Sequence, residues 1–235
     1  MRRKKRSPFV IVDNILYSYQ GYQKCVEVPI IVEKIAPYCF AHNSAIEEVI
    51  ISPNCRVIGQ YAFLACANLK RVVLPYTLKT IEEGSFEDTT NLQEIILAYH
   101  LEHLGPRAFK NTTALKRIVV YQNLKHLSYG AFMESGIQEL TIYAEDTTID
   151  EFCFMRCHHL KKIMISGDLL TINAFAFFET NSPIEFILDG DVQNIDDYAF
   201  EFHNGAPLNT QNKSVQEMIR FIKEKHVAKE ARFNE

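Results

Sequence analysis

Tryptophan is absent from this sequence, and glycine is scarce, at nine of 235 residues. The sequence contains no glycine-rich phosphate-binding loop, no zinc-protease helix motif and no serine-hydrolase elbow. No segment approaches the roughly 18 consecutive apolar residues that a membrane-spanning helix needs. We therefore expect no enzyme, no catalytic residue, no cofactor and no membrane span.

Charge is distributed unevenly along the chain. The formal net charge is −4, but five of the 25 basic residues lie in the first six positions. The remaining 20 basic and 29 acidic residues make an acidic body, which disfavours nucleic acid as the main partner. Residues 1–8 are predicted to form a disordered basic tail. The apolar run from Phe9 to Val12 is shorter than the roughly 7–15 residues of a signal peptide, which favours a cytoplasmic location with the cell surface as the alternative.

Phenylalanine recurs at a nearly constant interval. Seven consecutive steps measure 23, 23, 23, 23, 22, 23 and 23 residues. The recurring residues are Phe40, Phe63, Phe86, Phe109, Phe132, Phe154, Phe177 and Phe200. A small residue precedes each one, an aliphatic residue lies five positions earlier, and an alternating apolar pair follows, which is typical of a strand. A single unit cannot bury its own apolar face, so the pattern predicts stacked units around a continuous core.

A second periodic feature is a column of charged residues with alternating sign. Its members are Glu48, Arg71, Glu94, Arg117, Glu139, Lys162 and Glu185. In parallel, in-register stacking each side chain would lie between residues of opposite charge, and such pairs contribute about 0.2–1 kcal/mol each. The alternation therefore predicts the register of the stacked units.

Residues 55–75, with the sequence CRVIGQYAFLACANLKRVVLP, resemble the repeat unit of the BspA-like (treponemal-type) leucine-rich repeat family. The resemblance covers residues 32–200. It implies a single right-handed α/β leucine-rich-repeat solenoid of about eight 22–23-residue units, rich in β-strand, over residues 32–202. It also implies recognition rather than chemistry, with adhesion or host interaction proposed for members of the family.

Both ends of the array are expected to carry caps. Residues 9–31 look like the N-terminal β-hairpin cap of this family, with residues 10–19 as one strand and a turn at Gln20 and Gly21. Ser214 and Glu217 form a capping box that opens an amphipathic helix. Residues 203–235 are therefore predicted to be a loop followed by a C-terminal capping helix.

The outward face of the predicted strands is the candidate binding surface. Along with the charged column it carries an aliphatic stripe and a central group of tyrosines, which are features of interaction sites. The candidate residues are Arg71, Val73, Tyr76, Glu94, Ile96, Tyr99, Arg117, Val119, Tyr121, Glu139, Tyr143, Lys162 and Met164. We interpret the chain as a non-catalytic scaffold that binds a protein ligand. The alternatives are a self-associating assembly component, which would be a homo-oligomer, and a carbohydrate-binding module.

The six cysteines fall in the repeat columns rather than in disulfide-like pairs. Cys39 and Cys153 precede the recurring phenylalanine, and Cys66 and Cys157 lie three residues after it. We expect reduced thiols, as in a reducing compartment. The cluster that begins at Cys153 and ends at His159 could suggest zinc, but Cys153 should face the core, so no metal site is expected.

Overall fold

The computed structural model describes residues 7–143, 146–180, 184–200 and 209–210, together with the single residues 213, 216, 217 and 220. It opens with an antiparallel hairpin of β1 (Phe9–Val12) and β2 (Ile15–Tyr19). Asp13 and Asn14 make the turn with φ of 49° and 61°. Because Asp and Asn tolerate the left-handed conformation, they suit a two-residue hairpin turn. The predicted single strand over residues 10–19, with its turn at Gln20 and Gly21, is therefore wrong.

The remaining strands form two faces, and each coil of the chain contributes one short strand to each face. The front face consists of β3 (Cys25–Glu27), β5 (Glu48–Ile50), β7 (Arg71–Val73), β9 (Glu94–Ile95), β11 (Arg117–Tyr121), β13 (Glu139–Tyr143), β15 (Lys162–Ser166), β17 (Glu185–Asp189) and β19 (Asn209–Thr210). The back face consists of β4 (Lys34–Ile35), β6 (Val57–Ile58), β8 (Thr80–Ile81), β10 (His103–Leu104), β12 (His126–Leu127), β14 (Thr147–Ile149), β16 (Leu169–Ile172) and β18 (Val192–Ile195). We call these the front sheet and the back sheet.

Pairing within each sheet is parallel, and β2 joins the hairpin to the edge of the back sheet through β4. The strands of the back sheet end at the aliphatic residue five positions before each phenylalanine, and sequence analysis did not identify them as strands. Both sheets are divided at the same level of the solenoid. In the front sheet the division lies between β9 and β11, and in the back sheet it lies between β10 and β12.

The core is organised around the recurring phenylalanines. From Phe40 to Phe200 the rings form one parallel stack, with neighbouring centroids 4.8–5.4 Å apart and ring planes within 6° of each other. The apolar strand residues of both sheets pack around this stack in a single buried cluster. The predicted solenoid of about eight stacked units is thus confirmed.

Each phenylalanine lies in a tight turn that connects the back sheet to the front sheet. From Phe40 to Phe177, the residue two positions before the phenylalanine takes a left-handed conformation, as at Tyr61 (φ 53°) and Arg107 (φ 55°). The turns also bond to one another, because the Phe63 N–H donates to the Ser85 carbonyl of the next coil at 2.8 Å. These bonds satisfy turn backbone that would otherwise be buried without partners.

Three residues after the phenylalanine, several coils place a threonine or cysteine side chain that bonds to nearby backbone. Thr89 Oγ1 donates to the Phe86 carbonyl at 2.6 Å, and Cys66 Sγ donates to the Phe40 carbonyl at 3.0 Å. All six cysteines are free thiols, and five are buried. Burial raises the pKa of the Cys66 thiol and of the Cys157 thiol to about 12. These thiols therefore act as small core residues, as the repeat columns predicted.

The fold class needs one correction. Every element with defined bounds in the described part of the chain is a β-strand, so the solenoid is β-only and the α/β label is wrong. The short turns at the phenylalanines take the place that a connecting helix would occupy. The predicted C-terminal helix cap is not supported, because most of its residues, including Ser214, lie outside the described residues.

Candidate functional site

The charged column on the front sheet is built by in-register pairing. Arg71 faces Glu48 on one neighbouring strand and Glu94 on the other, and it forms an ion pair with each carboxylate. The Arg71 Nε to Glu94 Oε2 distance is 3.1 Å, and the guanidinium pKa is raised chiefly by its hydrogen bond to Glu48. Further along the sheet, Arg117 Nε lies 2.9 Å from Glu139 Oε2.

The charges alternate along the sequence as predicted, but the paired side chains do not form one continuous ladder on the front sheet. Glu94 and Arg117 lie on opposite sides of the division between β9 and β11, and among the described residues they share neither a strand pairing nor an ion pair. The ladder therefore consists of two segments, one ending at Glu94 and the other starting at Arg117.

The aliphatic stripe is displayed to solvent beside this ladder. Val73 and Val119 are half-buried, whereas 75% of the Ile96 surface and 37% of the Met164 surface are exposed. Ile96 directly follows β9, which is only two residues long. A large aliphatic side chain with this exposure is an unusual surface feature, because Val73 and Val119, its neighbours in the same column, are much better covered.

The predicted tyrosines form a chain of aromatic contacts where the front strands end. The ring centroids of Tyr99 and Tyr121 are 5.4 Å apart, and those of Tyr121 and Tyr143 are 6.4 Å apart. Tyr76 joins through His100, whose ring meets Tyr76 edge-on at 4.4 Å and Tyr99 at 5.2 Å. Sequence analysis did not place His100 in this cluster, because a single histidine outside the repeated columns carries no pattern.

The stripe and the tyrosines meet in a groove of about 410 Å³ at the division of the front sheet. Seven of the predicted binding residues line it: Arg71, Val73, Tyr76, Glu94, Ile96, Tyr99 and Tyr121. Leu74, Pro75 and Ala98 also line it and were not predicted. We call this site the central groove.

The other six predicted residues do not line the central groove. Arg117, Val119, Glu139, Tyr143, Lys162 and Met164 lie on β11, β13 and β15, further along the same sheet. They extend the candidate surface toward the C-terminal coils. Whether any of these thirteen residues binds a ligand stays a prediction.

Polar side chains from the following coil hold one wall of the groove. Gln122 Nε2 donates to Tyr99 Oη at 2.6 Å, and Asn123 Nδ2 donates to the Tyr99 carbonyl at 3.2 Å. These bonds fix the Tyr99 ring against the next coil. The groove is thus apolar at its floor, aromatic at its rim and bounded at one end by the Arg71 and Glu94 pair.

A second groove, of about 470 Å³, lies on the back sheet among Glu82, Glu83, Glu102, His103 and His126. Its acids are partly neutralised by neighbouring cations. Arg107 pairs with Glu83, and Lys79 Nζ lies 2.6 Å from Glu102 Oε1. Over the described ranges, no group of three or more His, Cys, Asp or Glu side chains is placed to hold a metal ion.

The described residues also contain no candidate for a membrane-spanning helix. None of the helical residues in the described part of the chain belongs to a helix that is long and apolar enough to cross a membrane.

These features define the protein as a β-solenoid scaffold, in which stacked repeats expose one sheet face to solvent. Among the described residues, no arrangement of side chains typical of a catalytic site is evident. The sequence model of the BspA type leucine rich repeat region matches residues 11–135 and 79–206, with six copies. The chain therefore belongs to the BspA-type leucine-rich repeat family, as the resemblance of residues 55–75 implied. This is a repeat scaffold family, generally without enzymatic activity. No individually curated protein matches the chain significantly.

Solved structures with the same fold come from several bacteria. The leucine-rich repeat protein TpLRR of T. pallidum is 19% identical, with a TM-score of 0.57 over 81% of this chain and 86% of that one. A leucine-rich cell surface protein of Faecalibacterium prausnitzii is 15% identical, with a TM-score of 0.55 over 83% of this chain and 76% of that one.

The pneumococcal vaccine antigen PcpA is 19% identical, with a TM-score of 0.60 over 78% of this chain. The matched region spans 48% of PcpA, so this chain corresponds to about half of that antigen's length. At these identities the likeness shows the fold.

Proposed function

We propose that this chain is a non-catalytic recognition scaffold that binds a protein ligand through its front sheet, with the central groove as the main contact. The observation that carries the proposal is the coincidence of an exposed Ile96 with Tyr76 and Tyr99 in one groove. Exposed apolar patches mark interaction sites, and buried aromatic anchors dominate the binding energy of protein interfaces.

The charged residues beside the groove would contribute orientation more than affinity. Arg71 and Arg117 are both half or more exposed and already satisfied by glutamates. Charges at the rim of an interface mainly affect the association rate and the choice of partner. Tyr143 and Met164 extend the apolar contact along the sheet for a larger ligand.

By analogy with proteins of similar fold, ligand binding by this chain would serve adhesion or host interaction. A cell surface protein and a vaccine antigen are among the proteins of similar fold.

Self-association is the second candidate function. Met164 is 37% exposed and Ile187 is 40% exposed, so the aliphatic stripe continues uncovered toward the C-terminal coils. A second copy of the chain could cover this stripe. Light scattering over a range of concentrations tests this directly, because a monomer at every concentration contradicts it.

The groove is tested with a matched pair of double variants. Tyr76→Ala with Tyr99→Ala removes two groove aromatics that are 70% and 44% exposed. Tyr22→Ala with Tyr38→Ala removes two tyrosines outside the groove that are 89% and 57% exposed. Both double variants should fold, because none of the four side chains belongs to the buried core.

Immobilised parent protein and both variants are exposed to candidate protein mixtures, and the bound proteins are quantified by mass spectrometry. The groove variant should lose a specific partner by about 30-fold or more, since a hot-spot tyrosine contributes about 2 kcal/mol. The control should retain it. Equal retention by both variants contradicts the groove assignment, and binding on a glycan array with no protein captured would favour the carbohydrate-binding alternative.

A further inference from the structure

The central groove lies at a break that runs through both sheets at one level. The front sheet ends at β9 and resumes at β11, and the back sheet ends at β10 and resumes at β12. The coil with β9 and β10 contains the turn of Phe109, and the coil with β11 and β12 contains the turn of Phe132. Two adjacent coils have therefore lost the strand pairing of both faces.

One column of backbone donors shows the loss clearly. The N–H groups of Gln93 and Glu94 donate to the Lys70 carbonyl at 2.9 and 3.1 Å. One coil beyond the break, the N–H groups of Gln138 and Glu139 donate to the Lys116 carbonyl at 2.8 and 3.1 Å.

At the break itself the corresponding bonds are missing. Within the described ranges, the N–H groups of Lys116 and Arg117 form no hydrogen bond with the Gln93 carbonyl. The adjacent Ala114 N–H still reaches the Thr90 carbonyl at 3.1 Å, so the ladder opens just where the front strand begins.

The phenylalanine turns, which connect the back sheet to the front sheet, remain hydrogen-bonded to one another at this level. Three backbone bonds of 2.7–3.0 Å link the Phe109 turn to the next one, from Arg107 to Tyr129, from Phe109 to Ala131 and from Asn111 to Met133. The Phe109 and Phe132 rings stay stacked at 5.4 Å. The intact connections thus lie along one line, and the lost ones lie on the two faces away from it.

Where the sheets are divided, side chains replace the backbone ladder. On the front face Gln122 and Asn123 bond to Tyr99 across the break. On the back face Ser128 Oγ donates to the Leu104 carbonyl at 2.5 Å. Side-chain bonds of this kind exchange with water more readily than a continuous ladder of strand bonds.

We propose that the Phe109 and Phe132 turns form a hinge between two rigid halves of the solenoid, and that bending at this hinge opens and closes the central groove. Tyr76 and Tyr99 belong to the N-terminal half, and Tyr121 belongs to the C-terminal half. A protein ligand that contacts both halves shifts the hinge toward the arrangement it fits best. This inference rests on the proposed function only for the ligand; the hinge itself is a property of the unbound chain.

The hinge is tested without a partner, by amide hydrogen exchange followed by NMR on the full chain. The amides of Lys116 and Arg117 should exchange about 100-fold faster than those of Gln138 and Glu139 in the same column. Equal protection at the two levels overturns the proposal.

A disulfide staple then tests the motion. Ile96→Cys with Val119→Cys places two thiols on the exposed aliphatic stripe across the break, in a Cys25→Ser background that removes the exposed native thiol. A disulfide needs Cα atoms about 4.4–6.8 Å apart. Oxidation should therefore trap the closed groove, in which the hinge brings residues 96 and 119 within this distance. The control is Thr141→Cys with Met164→Cys, which are register partners on the intact pair β13 and β15.

Oxidation of the staple should slow exchange at Lys116 and Arg117 by about tenfold or more relative to the reduced form, while oxidation of the control pair should leave it unchanged. If the staple forms without slowing exchange, or fails to form while the control pair does, the hinge is wrong. If these results refute the hinge, the tyrosine variants still decide whether the central groove binds a protein. The two proposals can therefore fail independently.

Discussion

Replacing Phe109 with alanine should be among the most damaging single changes in this protein. The Phe109 side chain is fully buried, and its ring stacks on Phe86 at 5.2 Å and on Phe132 at 5.4 Å. Phe→Ala changes in a packed core cost about 3–5 kcal/mol, because the lost transfer free energy is joined by the cost of a residual cavity. The neighbouring rings are held by their own turns, so we expect little collapse and a cost in this range.

Phe200→Ala is the matched comparison at the end of the array. Phe200 is only partly buried, and its ring stacks on Phe177 at 5.0 Å and meets Phe186 edge-on at 6.1 Å. Because a partly buried side chain withdraws less apolar surface from water and its site can collapse more easily, Phe200→Ala should cost at least about 1 kcal/mol less than Phe109→Ala.

Urea unfolding followed by circular dichroism measures both costs, with the slope of the transition checked for constancy. Tyr22→Ala, at a side chain that is 89% exposed, serves as the control and should change the free energy of unfolding by less than about 0.5 kcal/mol. Equal costs for Phe109→Ala and Phe200→Ala would refute the reasoning, because the stacked core makes the central position different from the terminal one.

Two further predictions concern ionisable groups. In a thiol-reagent assay near pH 8, only the exposed Cys25 should react in the folded protein, and all six cysteines should react after denaturation. The reason is that burial raises the pKa of Cys39, Cys66 and Cys157 to about 12. Rapid reaction of several thiols in the folded state would contradict the packing. Hydrogen bonds from Lys24 and Lys70 lower the pKa of the Glu47 carboxyl to about 2 from a usual 4.5. The ionised Glu47 carboxylate therefore stabilises the fold above about pH 4.5, and this contribution is lost as the pH falls toward 2. A carbon-detected NMR titration should show this low value, and Lys24→Met with Lys70→Met should return it toward 4.5; a normal pKa in the parent protein would count against these ion pairs.

The sequence predicted the stacked core and the front sheet because both repeat the same residue type in every coil. A residue such as Phe86 can be buried only if its equivalents one coil away are buried against it, and Arg71 is satisfied only between acids. Part of the lining of the central groove could be named for the same reason, since Tyr76, Tyr99 and Ile96 belong to exposed columns.

The features that the sequence did not predict carry no strand signal of their own. A two-residue strand such as His103–Leu104 is too short to show the alternation of a strand, although its aliphatic residue recurs in every coil. The break between β9 and β11 is invisible because Glu94 and Arg117 continue the charged column without interruption. The hairpin turn could have been found, since adjacent Asp13 and Asn14 both tolerate a left-handed backbone.

The central claim is that side chains one repeat apart are direct neighbours, and a charge-swap cycle on Arg71 and Glu94 tests it most directly. The free energy of unfolding is measured for the parent, for Arg71→Glu, for Glu94→Arg and for the double variant. Both side chains are more than half exposed, so each pair is weak, and we expect a coupling energy of about 0.2–1 kcal/mol. Recovery of stability in the double variant relative to the sum of the single changes supports the stacking; strictly additive effects would contradict it.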